Sequence, residues 1–179
     1  MKTHKHKLKN NCNLIIRNVE LKDVNSLIDY IEHIANESDF LSFGHGELRL
    51  SKTEEEHIIN KYLSYNNKLY LIGLIDDMIV TTLNYSGGNR PRTQHSGEFG
   101  LSVRKKYWGF GIGSMMLDTL IDWANDNQII KKINLRVRLD NQRAIQLFKR
   151  KGFIIEGTIR KEIIINGNYF DHYWMGLEL

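Results

Sequence analysis

Between Val103 and Ser114 the chain reads VRKKYWGFGIGS, with a glycine at every second position from Gly109 through Gly111 to Gly113. An apolar alternation of Phe99, Leu101 and Val103 leads into this segment. A helical spacing of Ile112, Met115, Met116, Leu120, Trp123 and Ala124 leads out of it, as expected for a helix with one face on a sheet. Strand, glycine turn and helix in that order describe a phosphate cradle. Without Cβ atoms the glycines accept positive φ and close approach, so successive N–H groups can converge on an anion at the positive end of the helix dipole.

Further along, Leu135 and Val137 lie on a short strand, followed by Asn141, Ala144-Ile145, Leu147-Phe148 and Lys151-Gly152-Phe153. The chain thus carries GxGxG opening one helix and LxVxxxNxxAIxLFxxxGF running from a strand through a second helix. Two separated motifs agreeing in order and spacing resemble the GNAT-type N-acetyltransferases. The resemblance is close from Glu98 to Phe153 and extends to the rest of the chain only as a pattern of elements.

The resemblance implies an acetyl-CoA-dependent transfer to an amine, with no metal. Backbone N–H groups of Trp108, Gly109, Phe110, Gly111, Ile112 and Gly113 are then the expected diphosphate ligands, with Ser114 adding a hydroxyl. Leu101 and Val103 would pair their main chains with the pantetheine amides, and the Val103 N–H would serve as oxyanion donor. Asn141, Phe148 and Lys149 complete the expected cofactor contacts, with Arg104, Lys105, Lys106 and Lys151 near the cradle. Trp108 stands where the family motif commonly has Gln or Arg, which removes one polar contact. Phe148 stands where the family often carries a tyrosine, so acid catalysis from that position is excluded. Water, Tyr173 or unaided departure of the thiolate remain open.

An alkylamine with a pKa near about 10.4 is almost entirely protonated at neutral pH, so a base helps. Glu98, on the strand before the cradle, is the candidate; the alternative is a strand carboxylate paired with Arg or Lys. His95, at the strand entrance, is a second candidate. Acceptor selection is expected from the loop with Glu37, Asp39, Phe43 and Glu47, from the loop with Arg90 and Arg92, and from the hairpin near Tyr169 to Tyr173. Acidic groups in the first loop would suit a cationic amine.

The periodicities predict a strand at 13–19, a helix at 21–35 and a second helix capped by Ser51 or Thr53. Strands at 68–75 and 78–85 join through Asp76-Asp77, and 97–103 is the strand feeding the cradle helix at 111–125. A strand at 133–139, a helix at 141–151 and strands at 153–165 and 169–177 follow, the last two joined by Asn166-Gly167, a strong hairpin signal. This is α/β (α+β): a twisted, mixed, mostly antiparallel sheet with helices on both faces. The resembled fold parts two strands to admit the pantetheine arm, here 97–103 and 133–139.

A chain of 179 residues suits one domain, assigned to 13–179 behind a flexible basic tail at 1–12, where Lys2, Lys5, Lys7 and Lys9 interleave with His4 and His6. Hydrophobic residues at 41 % and charged residues at 26 % fit a globular chain, no apolar run reaches a membrane span, and no secretory leader is evident. The chain reads as cytoplasmic with no membrane partner. Cys12, the one cysteine, sits in the polar tail and is not a nucleophile. The net charge of +4 suits coenzyme A or RNA alike, but the aromatics sit at core spacing without a stacking motif, so no nucleic acid is expected. A dinucleotide-binding oxidoreductase is excluded because GxGxG is not GxGxxG in an early βαβ unit. The competing reading is a non-catalytic acetyl-CoA-binding sensor. Apolar strand edges in the last hairpin suit a homodimer.

Overall fold

Two-residue turns set the sheet's registers. Asp76 and Asp77 take φ of 49° and 61° and join β3 (Lys68–Ile75) to β4 (Met78–Gly87), while Asn166 and Gly167, at 49° and 78°, join β7 (Ile154–Ile165) to β8 (Asn168–Glu178). Paired positive φ values twist with the flanking strands, which is why Asn-Gly and Asp-rich pairs mark hairpins. In this computed structural model, which describes residues 3–9 and 11–179, the remaining strands are β1 (His4–Lys7), β2 (Asn13–Asn18), β5 (Ser96–Val103) and β6 (Lys132–Arg138). All eight form one sheet in the order β1-β2-β3-β4-β5-β6-β8-β7. Only β5 and β6 run parallel.

Four helices cover the two faces: α1 (Val24–Ala35), α2 (Lys52–Leu63), α3 (Ile112–Asp126) and α4 (Gln142–Arg150). Ser51 caps α2 by accepting from Glu54 N–H, and Glu54 bonds back to the Ser51 N–H. This reciprocal box starts the helix after a long loop. On one face α3 and α4 bury Ile112, Met116, Leu120, Ile145 and Phe148 against Leu71, Phe99, Leu135 and Val137. On the other, α1 and α2 bury Leu27, Tyr30, Ile34 and Ile59 against Tyr70, Ile72 and Leu74. Covered on both sides, β3 is buried along its whole length, as its unbroken LYLIGLI run requires.

The N-terminus corrects the expectation of a flexible arm at 1–12. His4–Lys7 is the edge strand β1, antiparallel to β2 with His4 opposite Ile16 and Lys7 opposite Asn13. A turn in which Leu8 N donates to Cys12 O brings it back, and Leu8 is buried. The histidines of HKHKL turn inward and the lysines to solvent, so the alternation that looked like a solvated charge run is a strand pattern. Cys12 packs partly buried against the α3 core rather than lying in a polar tail. Lys2 lies outside the described residues.

Candidate active site

The sheet opens where β5 leaves β6. The two strands pair only through Ser96, Gly97 and Glu98 with Lys132, Ile133 and Asn134, whereas β4 follows β5 to Val103 and β8 follows β6 to Arg138. Hydrogen bonds from Gly88 N to Ser96 O and from Arg104 N to Val80 O fix the phase of the β4–β5 ladder. Groups bonded to a neighbour alternate with groups facing away, so the N–H and C=O of Phe99, Leu101 and Val103 turn into the gap. On the far side, Leu139 N donates to Asp171 O, which by the same alternation turns the main chain of Arg136 and Arg138 toward it. A single cavity of about 910 Å³ passes through this opening and is lined from both faces of the sheet.

On the α3–α4 face the cavity meets the glycine turn. Gly109 and Gly111 take φ of 91° and 84°, and Gly111 is the N-cap of α3. No side chain caps the helix, so the N–H groups of Ile112, Gly113 and Ser114 have no intrahelical acceptor and open at the positive end of a fifteen-residue helix. Trp108, Gly109, Gly111, Ile112, Gly113, Ser114, Leu101, Val103, Asn141 and Phe148 all line the cavity. Phe110 and Lys149 do not: Phe110 packs against the α3 core and Lys149 is exposed. Arg143 and Arg150 line the wall in place of Lys149.

Trp108 locks the turn: its indole Nε1 donates to the Val103 carbonyl at 2.7 Å, and the Arg143 guanidinium lies 5.3 Å from its ring. The Val103 carbonyl is therefore already engaged, and its N–H is the group left for a ligand. Asn141 caps α4 by accepting from Ala144 N at 3.2 Å. Phe148 is buried edge-on to Phe99 and Phe153, at 5.8 and 6.0 Å between ring centres. That position offers no proton.

The α1–α2 face is the polar wall. Glu98 stands at the last position where β5 pairs with β6, its Oε1 accepting from Arg136 Nε at 2.6 Å and its Oε2 from Arg136 Nη2 at 3.2 Å. Arg136 also donates to Glu162 Oε1 at 2.6 Å, and hydrogen bonding to Glu98 raises its already high pKa. One guanidinium between two carboxylates leaves a net negative charge. Tyr30, buried on α1, shares a hydrogen bond of 2.8 Å with the Ser102 hydroxyl, and burial pushes its pKa up to about 12. It stays protonated.

Arg138, 6 % exposed, lies 4.8 Å from the Phe40 ring and 3.9 Å from the Phe170 ring, and donates to the Asp39 carbonyl at 2.7 Å. It thereby pins the α1–α2 loop over the cavity. That loop brings Phe40, Leu41, Phe43, Leu48 and Leu50 to the wall rather than acidic groups. Glu37 instead accepts from Lys105 N, and Glu47 from Gly44 N. His95, Arg90 and Arg92 are exposed and line no part of the cavity, and Tyr173 does not reach it.

His172 of β8 faces the same wall, 7 % exposed, with Nδ1 unpartnered among the described residues. Burial pulls its pKa below the usual value; Glu162 and Asp140 oppose that and Arg136 and Arg138 reinforce it. As pH falls through about 6.5 the unfolded chain takes up a proton first, so stability present above that value is lost on acidification. Denaturant midpoints of His172→Gln should fall less than those of the wild type between pH 7 and pH 5; equal slopes would refute the assignment.

Arg136, Arg138, His172, Tyr30 and Glu55 were not singled out from sequence. A signal existed for the first two: if Ile133, Leu135 and Val137 face the core, strand alternation sends Asn134, Arg136 and Arg138 to the opposite face.

Residues 28–153 match the model of the acetyltransferase (GNAT) family. The L-amino acid N-acetyltransferase AaaT of Escherichia coli is 34 % identical over 105 residues, covering 59 % of this chain and 65 % of that protein, which is less than two thirds of its length. The spermidine N(1)-acetyltransferase of Vibrio cholerae is 26 % identical over 170 residues, covering 90 % of each. Among solved structures, a GNAT-family acetyltransferase from Streptococcus pneumoniae superposes with a TM-score of 0.90 at 31 % identity, over 93 % of this chain and 99 % of that one.

Proposed function

The chain belongs to the acetyltransferase (GNAT) family, and we propose that it transfers an acetyl group from acetyl-CoA directly to the primary amine of a small molecule, polyamine or protein. One observation carries this reading. A single cavity joins an anion cradle on one face of the sheet to a carboxylate-lined wall on the other, through the gap between β5 and β6. The residues present suit acetyl-CoA: two positive-φ glycines, the unbonded N–H groups at the start of α3, and a strand edge at Leu101 and Val103 with main-chain groups turned to the gap. Bound there, acetyl-CoA supplies an acyl group activated as a thioester.

This chain's residues have two tasks. The Val103 N–H receives the charge that grows on the acyl oxygen as the amine nitrogen bonds to the carbonyl carbon. Glu98 takes the amine proton through a lone pair that Arg136 leaves unused, a carboxylate having about four such sites. Phe148 offers no proton to the departing sulfur, and none is required there, because the thiolate that acetyl-CoA would give up is a far better leaving group than an amine. We place the activity in the cytoplasm, on no nucleic acid and no membrane; no helix among the described residues is long and apolar enough to cross one. The sheet edge at β7, with Ile154 and Ile164 exposed, is the surface offered to a second copy, an arrangement that light scattering decides.

The deciding measurement is calorimetric titration with acetyl-CoA followed by thiol release over a panel of amino acids, polyamines and peptides. Binding with release is expected. Binding without release for any amine would favour an acetyl-CoA sensor, and absence of binding would overturn the cradle.

A further inference from the structure

Glu55 is an ionisable side chain in an apolar place. It lies in the first turn of α2 and is 1 % exposed, yet it lines the cavity. Its carboxylate forms no ion pair, and Oε1 has no hydrogen-bond partner among the described residues. Around it are Ile58 and Tyr62 of its own helix and Tyr70 of β3, all lining the same cavity. The Tyr62 and Tyr70 rings are 5.2 Å apart, and burial, with the Glu55 carboxylate adding to it, holds both phenols above their usual pKa.

Burying a carboxylate without a partner costs the fold several kcal/mol and pushes its pKa up, as burial does for Glu55, and a chain normally avoids this by pairing or solvating the group. Here neither happens, while the group stands on the wall of a cavity that leads to Glu98. Resting on the transferase reading above, we propose that Glu55 is the distal subsite of the acceptor: it receives a second ammonium group, at the far end of an aliphatic diamine whose near nitrogen lies at Glu98.

The surroundings select that class. Ile31, Ile34, Phe43 and Ile58 line the cavity that Glu55 and Glu98 share, and an apolar lining suits a methylene chain and penalises a polar one. Tyr62 and Tyr70 add aromatic faces that attract an alkylammonium. The carboxylate is already desolvated before any ligand arrives. Only the incoming ammonium has still to lose water, and a preorganised partner in a water-poor site returns more than an exposed one. A monoamine of equal length reaches the same place with a methyl group and leaves the charge unpaired.

The test uses coenzyme A-loaded protein, so binding is read without turnover. Putrescine and n-pentylamine, which carries a methyl group in place of the second ammonium, are titrated by calorimetry into wild type and Glu55→Gln. The wild type should bind putrescine at least about tenfold more tightly than n-pentylamine, and Glu55→Gln should reduce that ratio to about twofold or less. Glu55→Gln should also melt higher in the absence of amine, because it removes an unpaired buried charge. Equal affinities in the wild type, a preference that survives in Glu55→Gln, or no binding of either amine would each overturn the subsite. Thiol release with other amines in the same preparation separates the two readings: release with no diamine preference removes the subsite and keeps the transferase, whereas failure to bind coenzyme A removes the transferase.

Discussion

Gly111→Val should raise the dissociation constant for acetyl-CoA by at least about a hundredfold while the protein still folds. Gly111 sits at φ 84°, a conformation that costs an L residue about 1–2 kcal/mol, more if β-branched. Space is not the obstacle: a Cβ there would come no closer than 3.7 Å, to Met115 Cε. The strain is relieved by rotating the turn, and rotation moves the N–H groups of Ile112, Gly113 and Ser114 off a common centre. Each charge-assisted hydrogen bond is worth about 1.5–3 kcal/mol, so losing two gives the stated factor. Gly157→Ala serves as the control, because nothing lies within 4 Å of its added Cβ. Ser114→Asp reaches the same end without touching a strained φ, by placing a negative charge where the diphosphate sits. Calorimetry with thermal melts on all three decides the matter; near-wild-type affinity in both Gly111→Val and Ser114→Asp would refute the cradle.

The parts legible in the sequence are those whose causes are local. Ser51 with Glu54, Asn166 with Gly167, and the alternation of Leu135 and Val137 each depend on residues a few positions apart, and each appears where the pattern puts it. The cradle and the parting of β5 from β6 follow the family resemblance. The polar wall was hidden because its partners are distant in the chain: Arg136 meets Glu98 across 38 positions, and Arg138 meets the Asp39 carbonyl across 99. Glu55 was masked differently. It is the middle of three consecutive glutamates, and only the helical period, which aligns it with Ile58, Ile59 and Tyr62, separates it from its solvated neighbours. In the loop between α1 and α2 the charges are the visible feature of the sequence, whereas Phe40, Leu41 and Phe43 reach the cavity and Glu37 and Glu47 satisfy backbone N–H groups elsewhere.

Glu98→Gln should lower kcat by about a hundredfold or more and leave acetyl-CoA affinity unchanged. Glutamine keeps the size and accepts a hydrogen bond from Arg136, which Glu162 continues to hold, so the wall keeps its shape and loses its base. The pH profile carries the sharper test. Without a base only the fraction of amine already neutral can react, and for an alkylamine with pKa near about 10.4 that fraction grows tenfold per pH unit. The residual rate of Glu98→Gln should therefore climb steadily with pH toward the amine's own pKa, while the wild type levels off earlier. A rate within a few-fold of wild type, with an unchanged profile, would remove Glu98 from proton transfer. His172, buried on the same wall with Nδ1 unpartnered and burial favouring the neutral imidazole, would then be the group able to take the proton, and His172→Gln would show the loss that Glu98→Gln did not.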